Sequence, residues 1–462
     1  MKPSLRAIPA VGKILDALGE TELPRPAVVG VVRRTLASFR SAKEIPGFDV
    51  VLDEVRSEIA ALWGSRIRPV INGTGIIIHT NLGRAPLASE VVETLCSVGA
   101  NYNNLEYDVS SGERGARAAY LEHNLALLCH AEAATVVNNC AAALVLILKH
   151  FTSEGRLEVI ISRSELIQIG GGFRIPDILE ASGARLREVG TTNKTSLADY
   201  AKAVTKETAM ILKVHHSNFF MGGFVDSPST EELAALARKK RIPFVEDLGS
   251  GAVVATDEIA DVEREPTPAE TLKRGVDLVC FSGDKLLSGP QAGIIAGKAK
   301  WVARLKREPF FRALRCDKLI LSALQTTVDL YLAQSEEASD GKAEQKRRVT
   351  MPALAMLGMS HDELRARGGK IIAGLSGLPL KASIGTGSGE IGGGTLPRSK
   401  IPSVVVELVP ATLALSDMAS RLRHGETPVI GYISGNRFKL DLRTIFPRQD
   451  EEVVRAIRAA LG

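Results

Sequence analysis

The chain has 462 residues, of which 45% are hydrophobic; 58 Lys and Arg against 53 Asp and Glu leave a formal charge of +5. Such a length exceeds one compact unit of roughly 100–200 residues, so about two or three domains around a sizeable core are expected, and the near-balanced charge neither demands nor excludes an anionic partner. Cys96, Cys129, Cys140, Cys280 and Cys316 form no C-x-x-C pair, and the chain has neither a leader-like apolar start nor a run near ~18 apolar residues. Reduced thiols in a cytoplasmic protein are the expectation, against secretion, a disulfide scaffold or a membrane span.

From Met1 to Pro69 the apolar spacing is helical in "VGKILDALG", "VVGVVRRTLASF" and "FDVVLDEVRSEIAALW", with breaks at "ELPRP" and "IPGF". A separate helical module, residues 1–69, is expected. After it, strand-like runs alternate with helical ones: "AATVVN" then "CAAALVLILKHF", "EVIIS", "TAMILKV", "TEELAALARKKR" then "IPFVED", "VDLVCFS" and "GIIAG". This alternation predicts a large α/β domain, residues 70–325, with a mainly parallel central sheet whose ligands gather at the carboxyl ends of the strands. A charged helical stretch beyond Leu321, then "PSVVVEL", "ATLALSDMASRLRHG" and "PVIGYISGNRFKLDL", predict a small C-terminal α/β domain, residues 326–462, with two strands about a Gly435-Asn436 turn.

The chemistry gathers after the strand runs. Lys285 stands in "FSGDKLLSGPQAGII" at the end of "VDLVCFS", where an ammonium partly removed from water loses proton affinity and becomes a nucleophilic amine. Alone it would be read as a surface lysine in a turn. Its companions match the needs of pyridoxal 5'-phosphate: an acid for the ring nitrogen, donors for the phosphate and a polar group near the phenolic oxygen. Asp247 of "IPFVEDLGSG" is the expected partner of the ring nitrogen. "VVNNCAAAL" joins a strand to a helix through Asn138, Asn139 and Cys140, so the first N–H groups of that helix can face a phosphate. Ser282 offers a hydroxyl and Asn218 of "KVHHSNF" an amide at the same edge. Singly, Asn139 reads as a helix cap, Ser282 as a turn former and Asn218 as a loop residue; jointly they favour the cofactor.

Two other features carry less. "GSGEIG", Gly387–Gly392, satisfies G-x-G-x-x-G but is followed by no helix and is expected to be a loop. His215 and His216 lack further ligand spacing and are expected to be strand-end residues; no metal is expected.

"PVINGTGIIIHTNLGRAPL", "LEYDVSSGERGAR", "VNNCAAAL", "GGGFRIPDIL", "EVGTTNKT", "KVHHSNF", "EDLGSG" and "FSGDKLLSGPQAGII" resemble, in order, the bacterial selenocysteine synthase family, L-seryl-tRNA(Sec) selenium transferase. The resemblance runs from "SLRAIPAVGKIL" to "PVIGYISGNRFKLDLRTI". It implies a fold-type I pyridoxal-phosphate transferase that converts seryl-tRNA(Sec) to selenocysteinyl-tRNA(Sec) with selenophosphate through an aminoacrylyl intermediate. It puts the Schiff-base lysine on Lys285 and a catalytic aspartate on Asp284. The arginines for the selenium donor fall on Arg84 of "HTNLGR" and on Arg312 and Arg315 of "FFRALRCDK", which are expected to share one helix face. It further implies a homo-oligomeric ring of dimers, a decamer, and an amino-terminal module that grips the tRNA, for which Arg25, Arg33, Arg34, Arg40, Arg56, Arg66 and Arg68 are available. Cys140 departs from the pattern, where a third asparagine or small polar residue is expected.

Two other readings compete: a pyridoxal-phosphate lyase or ammonia-lyase on a free amino acid or amino-sugar acid, which would have no use for residues 1–69, and a catalytically silent RNA-binding protein, which would leave the lysine, aspartate and arginine set unexplained.

Overall fold

The computed structural model describes residues 8–41, 45–153, 155–169, 172–336 and 351–462. The first seven residues of the expected helical module, Gly170 and Gly171 of "GGGFRIPDIL", and much of the charged stretch after Leu321 lie outside the described residues.

Three amino-terminal helices, Val11–Leu18, Arg25–Ser38 and Phe48–Gly64, close on a core of their own built from Ile14, Val28, Val32, Leu36, Val51, Leu52 and Val55. Pro26 sits in the first turn of the second helix, where a missing N–H costs nothing. Arg25, Arg33, Arg34, Arg40, Arg56 and Arg66 are exposed and Arg68 is half-buried.

The large sheet has seven strands in the order Ala133–Val137, Gly293–Gly297, Leu278–Ser282, Phe244–Gly249, Thr208–Val214, Glu158–Ser162 and Arg185–Val189. Gly293–Gly297 pairs antiparallel with both neighbours, and the other six strands share one direction. Each central strand is apolar on both faces: Ile160, Ile211, Phe244 and Val279 enter one core, while Val159, Ile161, Leu212 and Val245 enter the other. A sheet buried on both sides explains why these strands read as continuous apolar runs rather than alternating ones.

A five-stranded carboxyl-terminal sheet runs Tyr432–Ser434, Arg437–Asp441, Thr395–Pro410, Leu380–Gly392 and Ile76–Ile78. Helices His361–Gly374, Leu415–His424 and Asp450–Leu461 cover it through Leu364, Ile371, Met418, Leu422, Val453 and Ile457. The expected turn is present, with Gly435 at φ 60° and Asn436 at φ 56° between antiparallel strands, the left-handed pair that a two-residue hairpin demands. Ile76–Ile78 joins this sheet parallel to Leu380–Gly392, and Ile71–Asn72 pairs with Val429–Ile430, so the chain reaches the carboxyl-terminal sheet before it enters the large one. The helix Lys318–Glu336 runs on across residue 325.

The expected loop at Gly387–Gly392 is instead strand, part of Leu380–Gly392, paired along its length with Thr395–Pro410. Its glycines are imposed by side chains packed close against the strand. A Cβ on Gly385 would lie 2.6 Å from the Glu407 carboxylate, one on Gly387 2.8 Å from Asp441 Oδ2, and one on Gly389 3.1 Å from Arg443 Cδ. Arg443, almost wholly buried, donates to the carbonyls of Met356 (2.7 Å), Leu357 (3.2 Å), Met359 (3.1 Å) and Pro402 (2.6 Å). It thereby closes the carboxyl end of helix Pro352–Gly358, whose last carbonyls have no partner within the helix.

Candidate active site

The strand Leu278–Ser282 ends in a turn that presents Asp284 and Lys285. The turn is tied down from every side: Gly283 N donates to Ala292 O (2.9 Å), Leu286 N to Ser250 O (3.1 Å), Gly289 N to Gly283 O (2.9 Å) and Ala85 N to Asp284 O (3.3 Å). Gly251, at φ 72°, lies so close that an added Cβ would stand 2.3 Å from Ser282 O. Lys285 is therefore held on a rigid support, and its side chain is buried with Nζ facing Gly249. Burial lowers the affinity of its amine for a proton; Cys140 and Asp247 pull the other way, Arg84 adds to the lowering and Asp284 opposes it.

A cavity of about 470 Å³ opens over this lysine, within the roughly 300–1,000 Å³ range of ligand pockets. Thr80, Arg84, Asn139, Cys140, Asn218, Asp247, Ser282, Gln291 and Gly394 are among the residues that line it. Asp247 enters from the neighbouring strand Phe244–Gly249, in register with Cys280. Burial pushes its carboxyl above the ordinary range, with Lys285 and then the thiols of Cys140 and Cys280 restraining the rise.

Asn139 caps the helix Cys140–Thr152, its side chain accepting from Ala142 N at 2.8 Å. The amides of Cys140 and Ala141 remain in the first turn, at the positive end of the helix, as an anion would require. The bland role for Asn139, a helix cap, and the ligand role are thus compatible. Cys140 does not add a side chain to the anion turn. Its thiol points instead at Asp247, donating to Oδ1 at 3.5 Å.

Arg84 reaches the site from a tight turn in "HTNLGR". Arg84 N donates to His79 O at 3.0 Å, with Gly83 at φ 89° and Arg84 at φ 66°. That left-handed pair aims the guanidinium at Asp284, and Nη1 donates to Oδ2 at 2.7 Å. Asn218 Nδ2 donates to Gln168 O at 2.9 Å.

The buried Asn218 Oδ1, Ser250 Oγ and Asp284 Oδ1 have no hydrogen-bond partner among the described residues. Of these three residues Asn218 lines the cavity, and an orphaned polar atom in a cavity wall is the mark of a group arranged for a ligand. The donor set fits pyridoxal phosphate: an amine of lowered basicity, a buried acid on the adjacent strand and free amides at a helix start.

Sequence reasoning brought Lys285, Asp284, Asp247, Asn218, Ser282, Asn139, Cys140 and Arg84 to one place, and the structure brings them together. Arg312 and Arg315 lie elsewhere. They line a second cavity of about 550 Å³ with Arg114, Arg117, Lys306 and Glu106. The two cavities are neighbours, because Asn138 N, beside the anion turn, donates to Leu314 O at 3.0 Å. The shared helix face does not form: the helix Pro309–Ala313 ends before Arg315, since Cys316 and the start of helix Lys318–Glu336 turn the chain. Arg315 lies 3.6 Å from Glu106, which also binds Arg114 (2.6 Å) and Arg117 (2.9 Å). Bonds from Arg117 and then Arg114 hold the Glu106 carboxyl below its ordinary range.

Sequence reasoning missed Thr80, Gln291 and the pair Gly393–Gly394. The glycines are the tip of the hairpin that had read as a loop, all of Gly392–Gly394 having positive φ. A Cβ on Gly394 would come within 3.2 Å of Asn218 Cβ, so the hairpin tip closes one wall of the cavity. The signal was the glycine run just after "GSGEIG". His215, expected as a strand-end residue, bonds Glu265 through Nε2 at 3.1 Å, and neither His215 nor His216 belongs to a metal-competent cluster among the described residues.

The fold matches a solved structure of D-glucosaminate-6-phosphate ammonia-lyase with a TM-score of 0.57 over 87% of this chain and 98% of that one, at 18% identity, a likeness of fold alone. The architecture is α/β, built on a seven-stranded, mainly parallel sheet. A sequence model of L-seryl-tRNA selenium transferase matches residues 70–446. The chain is 39% identical over 469 residues to the L-seryl-tRNA(Sec) selenium transferase of Aquifex aeolicus (strain VF5), covering 100% of both. It is 41% identical over 465 residues to that of Geobacter sulfurreducens (strain ATCC 51573 / DSM 12127 / PCA), covering 98% of both. This chain belongs to the L-seryl-tRNA selenium transferase family.

Proposed function

We propose that the chain converts L-seryl-tRNA(Sec) to L-selenocysteinyl-tRNA(Sec), with pyridoxal phosphate as cofactor and selenophosphate as selenium donor. The observation that carries this reading is full-length relationship: the Aquifex transferase is matched over its whole length, the amino-terminal helices included. The family model begins at residue 70, where those helices have ended. That supports a division into a tRNA-binding module at 1–69, a large cofactor domain at 70–325 and a small domain at 326–462. A lyase acting on a free amino acid would use Lys285 and Asp247 equally but gives the three helices no task.

Lys285 would hold the cofactor's aldehyde carbon, Asp247 its ring nitrogen and the start of helix Cys140–Thr152 its phosphate, with Ser282 and Asn218 at the phosphate and phenolic oxygen. When bound, the cofactor supplies an electron sink for bonds at the serine Cα. Asp247, a buried acid, would keep its ring nitrogen protonated. Lys285 Nζ, its basicity reduced by burial, would take the proton from the serine Cα; the β-hydroxyl departs as water, the selenium of selenophosphate joins Cβ while water cleaves its Se–P bond to release phosphate, and Nζ returns the proton to Cα. The serine carboxyl is esterified to tRNA, so the arginines need not bind it. Arg84, oriented by Asp284, and Arg312 with Arg315 in the adjoining cavity bind the phosphate end of the selenium donor through charge-assisted bonds. For that anion to enter, Glu106 must give up its hold on Arg315.

Exposed Tyr102, Tyr107, Val109 and Tyr120 support a homo-oligomer, a ring of dimers. No helix among the described residues is long and apolar enough to cross a membrane, in keeping with work on tRNA in the cytoplasm. Truncation of residues 1–65 tests the reading. It is expected to abolish binding of tRNA(Sec) while cofactor absorbance and its fixation to Lys285 by borohydride persist; unchanged tRNA affinity would favour the small-molecule lyase.

A further inference from the structure

At the other end of the large sheet lies a cavity of about 320 Å³ that the proposed reaction does not use. Pro243 and Asp277, which precede strands Phe244–Gly249 and Leu278–Ser282, and Lys298, which follows the oppositely running Gly293–Gly297, form its floor. Lys285 follows the far end of the same Leu278–Ser282 strand, about 15 Å away along its five residues.

The cavity is strongly basic. Arg156, Arg238, Arg241, Lys298, Lys300 and Arg304 line it, against Asp277 as the one lining carboxylate among the described residues. Lys298 pairs with that Asp277, which removes the only acid. Arg238, Arg241, Lys300 and Arg304 join no ion pair among the described residues and stand exposed around the mouth. The end of helix Thr230–Lys240 contributes roughly half a negative charge here, far less than these four cations. They are also placed by the fold rather than loosely scattered. Lys300 and Arg304, one turn apart on helix Ala299–Leu305, flank Trp301 at 4.7 and 5.0 Å from its ring. Trp301 packs edge-on against Phe151 with ring centroids 4.9 Å apart, and its buried Nε1 has no hydrogen-bond partner among the described residues. The cavity thus offers clustered cations and an aromatic wall.

We propose that this cavity is a second anion site, which takes phosphate groups and takes them from an RNA backbone. The choice of a polymer rests on the rim: exposed Lys239 and Lys240 continue the positive charge beyond the cavity mouth, as a ligand that extends past one phosphate requires. Cations placed along a backbone bind mainly by displacing counterions, and so mark themselves by salt dependence. Assigning the RNA to the tRNA substrate rests on the functional reading above; the anion chemistry does not.

The chain has two tryptophans, so Trp63→Phe leaves Trp301 as the sole fluorophore. In that background inorganic tripolyphosphate is expected to change Trp301 emission saturably, with affinity at least about tenfold weaker in Arg241→Glu/Lys300→Glu. Arg241→Gln/Lys300→Gln is a milder pair, and unchanged cofactor absorbance reports an intact fold. For tRNA(Sec), the same pairs should lower the slope of log affinity against log salt by about 2, near 0.9 for each duplex phosphate no longer neutralised. Loss of both signals supports the site with RNA as its ligand. Loss of the tripolyphosphate signal with an unchanged tRNA slope retains the anion site and assigns it to a free phosphate compound. No tripolyphosphate response in the parent protein, or one indifferent to both pairs, overturns the proposal. Failure of selenium transfer itself would strike the reaction assignment and leave this result standing.

Discussion

Arg84 and Asp284, 200 residues apart in sequence, meet in a 2.7 Å bond from Nη1 to Oδ2 beside Lys285. The pair fixes a half-exposed guanidinium at the cavity wall and leaves Asp284 Oδ1 buried and free to accept. Arg84→Ala is expected to raise KM for selenophosphate by roughly 10–100-fold with cofactor loading intact, the cost of losing one charged partner for an anion. Asp284→Asn should show part of the same defect, since it loosens the same guanidinium. A double-mutant cycle should be non-additive; additive losses would mean that the two act separately.

Arg312→Ala should also raise KM for selenophosphate, but through the neighbouring cavity. Cofactor absorbance and its response to seryl-tRNA are expected to stay normal while selenium addition slows. Removing Glu106, which competes for Arg315, should have the opposite sign: Glu106→Gln is expected to lower that KM severalfold. Steady-state kinetics with varied selenophosphate checks both.

Asp247→Asn keeps the shape of the site but withdraws the buried carboxyl that would face the cofactor's ring nitrogen. Turnover is expected to fall about 10²–10³-fold, the scale of one preorganised electrostatic partner, with the cofactor still attached to Lys285. Absorbance and single-turnover rates together separate this from simple loss of cofactor.

Much of this site was legible because its residues follow strands that read clearly. Asp247 and Lys285 each end a run apolar on both faces, and the topology of parallel strands carries such ends to one edge. Three things were not legible. Gly385, Gly387 and Gly389 answer to Glu407 and Asp441 on the other strands of the sheet and to Arg443 just past one of them, so the tract read as a loop in isolation. Arg185–Val189 carries charge at alternate and adjacent positions because it is an edge strand with mostly half-buried or exposed side chains, and its composition hides it. The split of Arg84 from Arg312 and Arg315 depends on the break after Ala313, which no spacing rule announces.

Glu165 supplies a pH signature away from the chemistry. It is buried in full, accepts from Val214 N at 3.1 Å, and burial raises its carboxyl from 4.5 to about 8. Between those values the folded chain keeps a proton that the unfolded chain releases, so this contribution to stability is complete below 4.5 and is lost as pH rises through about 8. Denaturant titrations should show stability falling on the order of 5 kcal/mol over that window. Glu165→Gln, neutral throughout and still an acceptor for Val214, should flatten the slope; an unchanged slope would trace it to other groups.

Selenium transfer itself tests the account most directly. Purified, cofactor-loaded protein is given L-seryl-tRNA(Sec) with labelled selenophosphate, and in parallel free L-serine with the same donor. The account predicts labelled selenocysteine esterified to tRNA(Sec), absent with Lys285→Ala, and no product from free serine. A loaded, folded protein that leaves seryl-tRNA(Sec) untouched, or that turns over the free amino acid in its place, would contradict it.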